Sequence, residues 1–289
     1  MSALHDNLDL QLSTPKGRQL VADSVAGFAR GAGDLLLEHF ERLDPSAVRS
    51  KTVGRDLVTE ADLASERYLV QHLRAAFPGT AIEAEEEIQD SQAPGLRWFL
   101  DPLDGTVNFV HGLPCFAVSI ALYRDEQPLV GCVHLPRLAE TFRAAAGAGA
   151  YLGERRLQIS QAPSLASSVV ATGFPYRRGE LANDNLGNFM RVMRGVRGIR
   201  RMGSAAVDLA YTAAGRLDAY WELHLAPHDV AAGALLIRES GGEVHDLAGG
   251  SNWLRGGSVI AGPRALTQEL AARVSGAPDE VAIGPSPGR

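Results

Sequence analysis

Apolar residues recur at helical intervals through "TPKGRQLVADSVAGFARGAGDLLLEHFERL", residues 14–43, behind a proline, which predicts a long first helix. A second helix is predicted from Thr59 to Phe77, with Leu63, Val70, Leu73 and Phe77 on one face and Pro78-Gly79 ending it. The pattern then shortens to β-like runs, "RWFLD", "FAVSIALYR", "PLVGCVHLP" and "TFRAAAG", joined by turn residues as in an antiparallel meander. From about residue 156 the order alternates. "SSVVATGF" reads as a strand, "NDNLGNFMRVMRG" as a helix, "AAVDLAYTAAGRLDAYWE" as a helix then a strand, and "DVAAGALLIRESGG" as a capped helix.

These patterns divide the chain into a flexible tail over 1–14, an N-terminal α+β half over 15–155, a C-terminal α/β half over 156–275, and a Pro- and Gly-rich flexible tail over 276–289. No internal repeat or long linker separates the halves. They are expected to share an interface, and a cleft there is the expected site.

The chain has 289 residues, 45% hydrophobic and 21% charged, which suits a soluble globular protein with room for two packed subdomains. A formal net charge of -6 argues against a general nucleic-acid binder, and a phosphorylated substrate would need local cations. The two cysteines, Cys115 and Cys132, lie in apolar strand-like stretches, so a disulfide framework is not expected and a reducing cytoplasm fits. No signal-peptide pattern opens the chain and no run of about 18 apolar residues occurs, so no membrane partner is expected.

Acidic residues gather in four stretches: Asp62 in "DLVTEAD", Glu85 and its neighbours in "IEAEEE", Asp101 with Asp104 in "WFLDPLDGTVNFVHG", and Asp229 in "APHDVAAG". Carboxylates dispersed in sequence but placed at element ends suit hard cations such as Mg²⁺, which take oxygen ligands and keep several waters. Each acid also has a plainer reading. Asp62 follows Thr59 at capping-box spacing. Glu83, Glu85, Glu86 and Glu87 form a charge run of the kind usually solvated in a loop, and Asp229 stands where a helix N-cap is common.

Residues 101–106 are harder to explain by structure alone, because a turn rarely needs two acids together with Pro102, Gly105 and Thr106. Asp101 and Asp104 can chelate from the two ends of a tight turn, with the Leu103 carbonyl as a further ligand. At a helix start, the N–H groups of Gly105 and Thr106 can bind a phosphate oxygen.

"WFLDPLDGTVNFVHGLPCFAVSIAL" resembles the first signature of the inositol monophosphatase family, the Mg²⁺-dependent, lithium-sensitive phosphatases, and in particular its bacterial branch. "DLVTEAD" resembles the family's upstream Asp motif, "AIEAEEE" its double-Glu motif and "PHDVAAGALLIRESGG" its C-terminal signature, in family order over roughly residues 17–265. The resemblance implies a layered αβαβα sandwich, an α+β / α/β fold, and a homodimer that hydrolyses a small phosphate ester with two or three Mg²⁺ per site. It places one ion on Glu85, Asp101 and the Leu103 carbonyl, and a second on Asp101, Asp104 and Asp229. Glu85 would help a third through water. Thr106 and Asp62 fall on the pair that activates the attacking water, with no covalent intermediate.

The same resemblance puts Ser204, Ala205 and Glu222 at the sugar or cyclitol pocket, with Asp104 and Asp229 also touching substrate, which favours myo-inositol 1-phosphate. Lys51 matches a basic position flanking the metals, though it reads equally as a solvated surface lysine. One departure is His228, where the family carries Trp or another large apolar residue. His224, His228 and Asp229 also suggest a zinc trio, against which Pro227 argues.

Other readings compete. A D-x-D-G-T nucleophile motif is one residue shorter than D-P-L-D-G-T, and Cys115 lacks the Arg that follows a phosphatase cysteine. Within the family, histidinol-phosphate phosphatase is the alternative. A fold-retaining regulatory protein that binds RNA or another protein is a third reading, prompted by Arg191, Arg194, Arg197, Arg200 and Arg201.

Overall fold

The computed structural model describes residues 8–42, 49–50, 57–90, 94–177 and 180–274; Lys51 lies outside them. The first predicted helix is α1, Pro15–His39, which starts where Thr14 accepts the Gly17 N–H and Pro15 occupies the first turn. Helix α2, Glu60–Ala76, is capped by Thr59 at one end and Phe77 at the other. Leu63 is only partly buried on it; Leu69 takes the core position instead. Residues 8–14, expected to belong to a loose tail, instead contribute Leu8 and Leu12 to the core beside α1.

A short antiparallel pair, β1 (Arg49–Ser50) and β2 (Leu57–Val58), precedes α2. The expected four-strand meander is built, and two further strands that the sequence did not signal extend it. Strands β4 (Leu96–Asp104), β5 (Ala117–Arg124), β6 (Gln127–Leu135), β7 (Glu140–Ala145), β8 (Gly149–Leu152) and β9 (Arg155–Arg156) pair antiparallel in chain order. Strand β3 (Ala81–Ala84) adds parallel to β4 and completes a seven-stranded sheet. The acidic run therefore begins inside a strand, which its charge had concealed.

The second sheet has five strands in the order β11-β10-β12-β14-β13. These are β10 (Val169–Thr172), β11 (Gly198–Arg200), β12 (Ala219–Leu223), β13 (Glu243–His245) and β14 (Ser258–Gly262). Its helices are α4 (Leu186–Met193), α5 (Ala205–Ala213), α6 (Pro227–Glu239) and α7 (Arg264–Val274), with α3 (Thr106–Val110) in the first half.

Period-two alternation sorts the strands into layers. Trp98, Leu100, Val118, Ile120 and Cys132 face α1 and α2 in one core. Their neighbours Phe99, Ala117, Ala121 and Val133 face the opposite way and join α5, α6 and the inner face of the second sheet, through Tyr220 and Val259. The outer face of that sheet, Val170, Trp221 and Ile260, packs on α4 and α7 through Val192, Leu266 and Leu270. The result is a layered αβαβα sandwich. At Gly131 a Cβ would lie 2.9 Å from the Ala232 carbonyl oxygen, so glycine lets α6 settle directly on the first sheet. No helix among the described residues is long and apolar enough to cross a membrane.

Candidate active site

Asp101 and Asp104 are three residues apart, a spacing that in a regular strand sends side chains to opposite faces. The β4–β5 register shifts between them: Asp101 pairs with Ser119 and Asp104 with Ala117. The extra residue, at Pro102-Leu103, is a bulge that returns Asp104 to the face of Asp101. That face looks toward α6. The turn is held by the Leu103 N–H, 3.0 Å from Asp101 Oδ1, and by the Ser65 hydroxyl, which donates to the Pro102 carbonyl at 2.9 Å.

Helix α6 brings Asp229 to the same point. The Tyr123 hydroxyl donates to the Ala231 carbonyl at 2.8 Å and the Ser119 hydroxyl to the His228 carbonyl at 3.3 Å, pinning the start of α6 to β5. The N-cap is Ala226 rather than Asp229, whose carboxylate reaches back to the Ala226 N–H at 2.6 Å. One oxygen from each of Asp101, Asp104 and Asp229 lies within 4.8 Å of the others. Glu85 follows β3 and donates its N–H to the Leu100 carbonyl at 3.1 Å, and its side chain hydrogen-bonds with Asp101.

The electrostatics of this gathering are adverse. Burial raises the Asp101 carboxyl well above its ordinary range, and Glu85, Asp104 and Asp229 raise it further. Asp104 is pushed up to about 8 by burial and then by Asp229, against the lowering effect of two hydrogen bonds. Those bonds come from the Ser204 hydroxyl at 2.7 Å and the Ala206 N–H at 2.6 Å, at the start of α5. A partly buried oxygen-only set with this much like charge fits a hard cation, which would favour the ionised carboxylates.

Asp62 is a capping residue that also meets Thr106. As third residue of α2 it accepts the Thr59 N–H at 2.8 Å, completing the capping box, and its other oxygen lies 3.1 Å from the Thr106 hydroxyl. Burial lifts Asp62 to about 6. Thr106 Oγ is also 3.1 Å from the Leu103 carbonyl, so its single proton serves one acceptor at a time. Gly105 precedes it at φ +97°, and a Cβ there would sit 3.0 Å from the Cys115 carbonyl.

Glu222 lies on the inner face of β12, buried, and accepts the Tyr220 hydroxyl at 2.6 Å. Burial raises it to about 7, offset by Tyr220 and by Arg201. Ser204 caps α5 and Ala205 is its first residue, which places both beside Asp104. Three further residues escaped sequence reasoning. The Asn108 amide donates to the Cys115 and Met202 carbonyls at 2.6 and 2.8 Å, joining the two halves beside the acids. Tyr220 and the buried Asp208 accompany Glu222, and only their polar character inside apolar runs marked them.

Several alternatives are not assembled. His224 Nε2 lies 2.7 Å from the Asn183 carbonyl and His228 Nε2 lies 3.9 Å from Asp229 Oδ1. Among the described residues the one candidate metal group contains no histidine, so the zinc trio fails. Cys132 is buried in β6, but Cys115 sits half-buried in the loop before β5 rather than in a strand. Glu83 is not solvated: it is buried between Arg97 and Arg255. Of the five arginines, Arg191 is bound to the carbonyls of Arg273 and Val274, while Arg194, Arg197, Arg200 and Arg201 are exposed.

Fold and site together define a phosphoric monoester hydrolase. The chain belongs to the inositol monophosphatase family, whose model matches residues 19–278, and this family is generally metal-dependent. It is 45% identical over 241 residues to Nus factor SuhB of Pseudomonas aeruginosa, covering 81% of this chain and 88% of that protein. It is 42% identical over 261 residues to inositol-1-monophosphatase of Mesorhizobium japonicum, covering 88% and 95%. Among solved structures, extragenic suppressor protein suhB from Bartonella henselae superposes with a TM-score of 0.81 at 37% identity, covering 89% of this chain and 98% of that one.

Proposed function

We propose that this chain hydrolyses myo-inositol 1-phosphate to inositol and phosphate in a Mg²⁺-dependent reaction, as a cytoplasmic homodimer. The observation that carries the reading is the convergence of Asp101, Asp104 and Asp229 from two halves of the chain on one point. Glu85, Asp101 and the Leu103 carbonyl would hold one ion, Asp101, Asp104 and Asp229 a second, and Glu85 would contribute to a third through water. When bound, the ions supply Lewis-acid activation of water and neutralise charge on the phosphoryl oxygens.

The chain's own groups do the rest. The Gly105 and Thr106 N–H groups hold a phosphate oxygen. Thr106 Oγ orients the attacking water and passes its proton toward Asp62 Oδ1, whose position near neutrality suits a base. Glu222 binds ring hydroxyls on the far side of the pocket, beside Ala205. The Ser204 hydroxyl is already given to Asp104, so Ser204 supports the ring pocket through that carboxylate, and Asp104 and Asp229 face the substrate. The Mesorhizobium relative's name supports the inositol ester. Leu186, Met190 and Met193 stand exposed along one face of α4, which supports a subunit contact.

Phosphate release across inositol 1-phosphate, histidinol phosphate, fructose 1,6-bisphosphate and adenosine 3',5'-bisphosphate, with and without Mg²⁺ and lithium, tests this reading. Mg²⁺-dependent, lithium-sensitive release from inositol 1-phosphate is expected; preference for histidinol phosphate would replace the substrate and keep the mechanism.

A second reading is a regulatory role, favoured by the Nus factor name of the Pseudomonas relative, exerted by binding RNA, which the exposed Arg194, Arg197, Arg200 and Arg201 favour. Salt-dependent binding of a labelled single-stranded RNA, lost on replacing these arginines, is its test.

A further inference from the structure

Glu66 lies one turn beyond Asp62 on α2, and its side chain is fully buried at 0% exposure. Its carboxylate is met by three consecutive backbone N–H groups from the acidic loop. Oε2 accepts from Glu86 at 2.8 Å, and Oε1 accepts from Glu87 at 2.8 Å and Ile88 at 3.0 Å. Successive N–H groups aimed at one anion form a nest, here built by the chain around its own side chain. Hydrogen bonds to an ionised acceptor are the stronger kind.

The loop so held carries Glu85. It is closed by the Ala84 N–H donating to the Ile88 carbonyl at 2.8 Å, and Glu85 itself is fastened to Leu100. Glu85 therefore sits between an anchored Ala84 and a nested Glu86, with little backbone freedom to leave the side of Asp101. One residue earlier on the same helix, Ser65 fastens the Pro102 carbonyl inside the bulge. Helix α2 thus holds, at adjacent positions, the two loops that bring Glu85 and Asp101 together.

We propose that Glu66 is a positioning residue that sets where Glu85 stands and thereby governs how tightly the site takes a divalent cation. This rests on the ligand role given to Glu85 above. A tether of this kind acts on cation affinity more than on the chemical step, because the Glu66 carboxylate bonds to the loop N–H groups and not to the Thr106 hydroxyl or the Asp62 carboxylate, whose own bonds run to each other, to Thr59 and to Leu103.

The test uses the full chain with Glu66→Gln, whose amide replaces an acceptor by a donor facing N–H groups. Calorimetric titration with Mg²⁺ is expected to show affinity reduced about 10-fold or more, the range for outer partners of metal ligands, with kcat at saturating Mg²⁺ within about threefold of wild type. In metal-free protein, amide exchange at Glu86, Glu87 and Ile88 is expected to accelerate at least about tenfold while that of Leu69–Leu73 is unchanged. Should Glu66→Gln fail to fold, Glu66→Asp, which keeps the charge and shortens the reach, is expected to give the same split.

Glu85→Gln is measured in parallel. If it weakens Mg²⁺ binding and the folded Glu66 variant does not, the positioning role is overturned while the metal reading stands. Unchanged exchange at residues 86–88 also overturns it. If Glu85→Gln leaves Mg²⁺ affinity intact, the ligand assignment fails and takes the positioning role with it.

Discussion

Thr106 Oγ lies 3.1 Å from Asp62 Oδ1, a contact across 44 residues that joins the first residue of α3 to the capping turn of α2. The capping box is thus more than a helix start: it orients the oxygen that Thr106 uses. Thr106→Val keeps the shape and removes the hydroxyl. Turnover is expected to fall by a factor on the order of 10²–10⁴, with Mg²⁺ affinity little changed and Thr106→Ser largely active. Turnover of Thr106→Val within tenfold of wild type would remove the pair from the mechanism.

Asp101→Asn removes the most enclosed acid of the cluster, at 1% exposure. Turnover is expected to be nearly abolished in a folded protein, and the rise in Tm that Mg²⁺ gives the wild type is expected to shrink, because ligand stabilisation follows affinity. A folded variant with near-wild-type activity sinks the metal assignment.

The acids also predict how the metal-free protein responds to pH. Asp62 at about 6 and Asp104 at about 8 both stand above the unfolded aspartate value of about 3.9, so the folded state binds more protons than the unfolded. Their stabilising contribution is complete below the unfolded value and is lost as pH rises through about 6 and then about 8. In the presence of a chelator, Tm is expected to fall between pH 5 and pH 8.5, roughly the window those groups span. Mg²⁺ should restore most at the alkaline end. A chelated protein that gains stability across this window contradicts the adverse charge of the cluster.

Glu83 ties the halves together. Arg255 donates two bonds to it at 2.9 and 3.0 Å, and Arg97 stands 3.8 Å away, nearly buried. Glu83→Gln removes the counter-charge that Glu83 gives the cationic Arg97 and Arg255, at a cost of about 3 kcal/mol, or roughly 6–10 °C in Tm for a chain of this size. A thermal scan showing a change under 2 °C would mean solvent screens the site more than its burial suggests.

Glu222→Gln should leave Mg²⁺ affinity intact and weaken discrimination among alcohols, since Glu222, on β12, is outside the acid cluster and is the residue proposed to bind ring hydroxyls. Unchanged selectivity across the four phosphate esters counts against a role in the ring pocket.

Helices α1, α2, α5 and α6 and the meander β4–β7 were readable because their signals are local: spacing of apolar residues, a capping threonine, a proline at a start. Strands β8, β9, β11, β13 and β14 were not, being only two to five residues long, nor was β3, disguised by acids, nor helix α7, which spans 11 residues but carries few large apolar positions among its polar ones. The oxygen-only chemistry of Asp101, Asp104 and Asp229 and the order of the acidic stretches were also in the sequence, since residue type and order are properties of the chain alone.

Only the tertiary structure decided the rest. A two-residue period says Asp101 and Asp104 diverge; a bulge set by pairing with β5 makes them converge. No local pattern relates Asp229 to either, because that distance is set by α6 lying between two sheets and pinned through Ser119 and Tyr123. The same packing took Glu83 out of solvent, folded Leu8 and Leu12 into the core, and turned Glu66 toward the loop that holds Glu85. Sequence spacing governs which way a side chain points within its own element; which distant side chains meet there depends on how the layers stack.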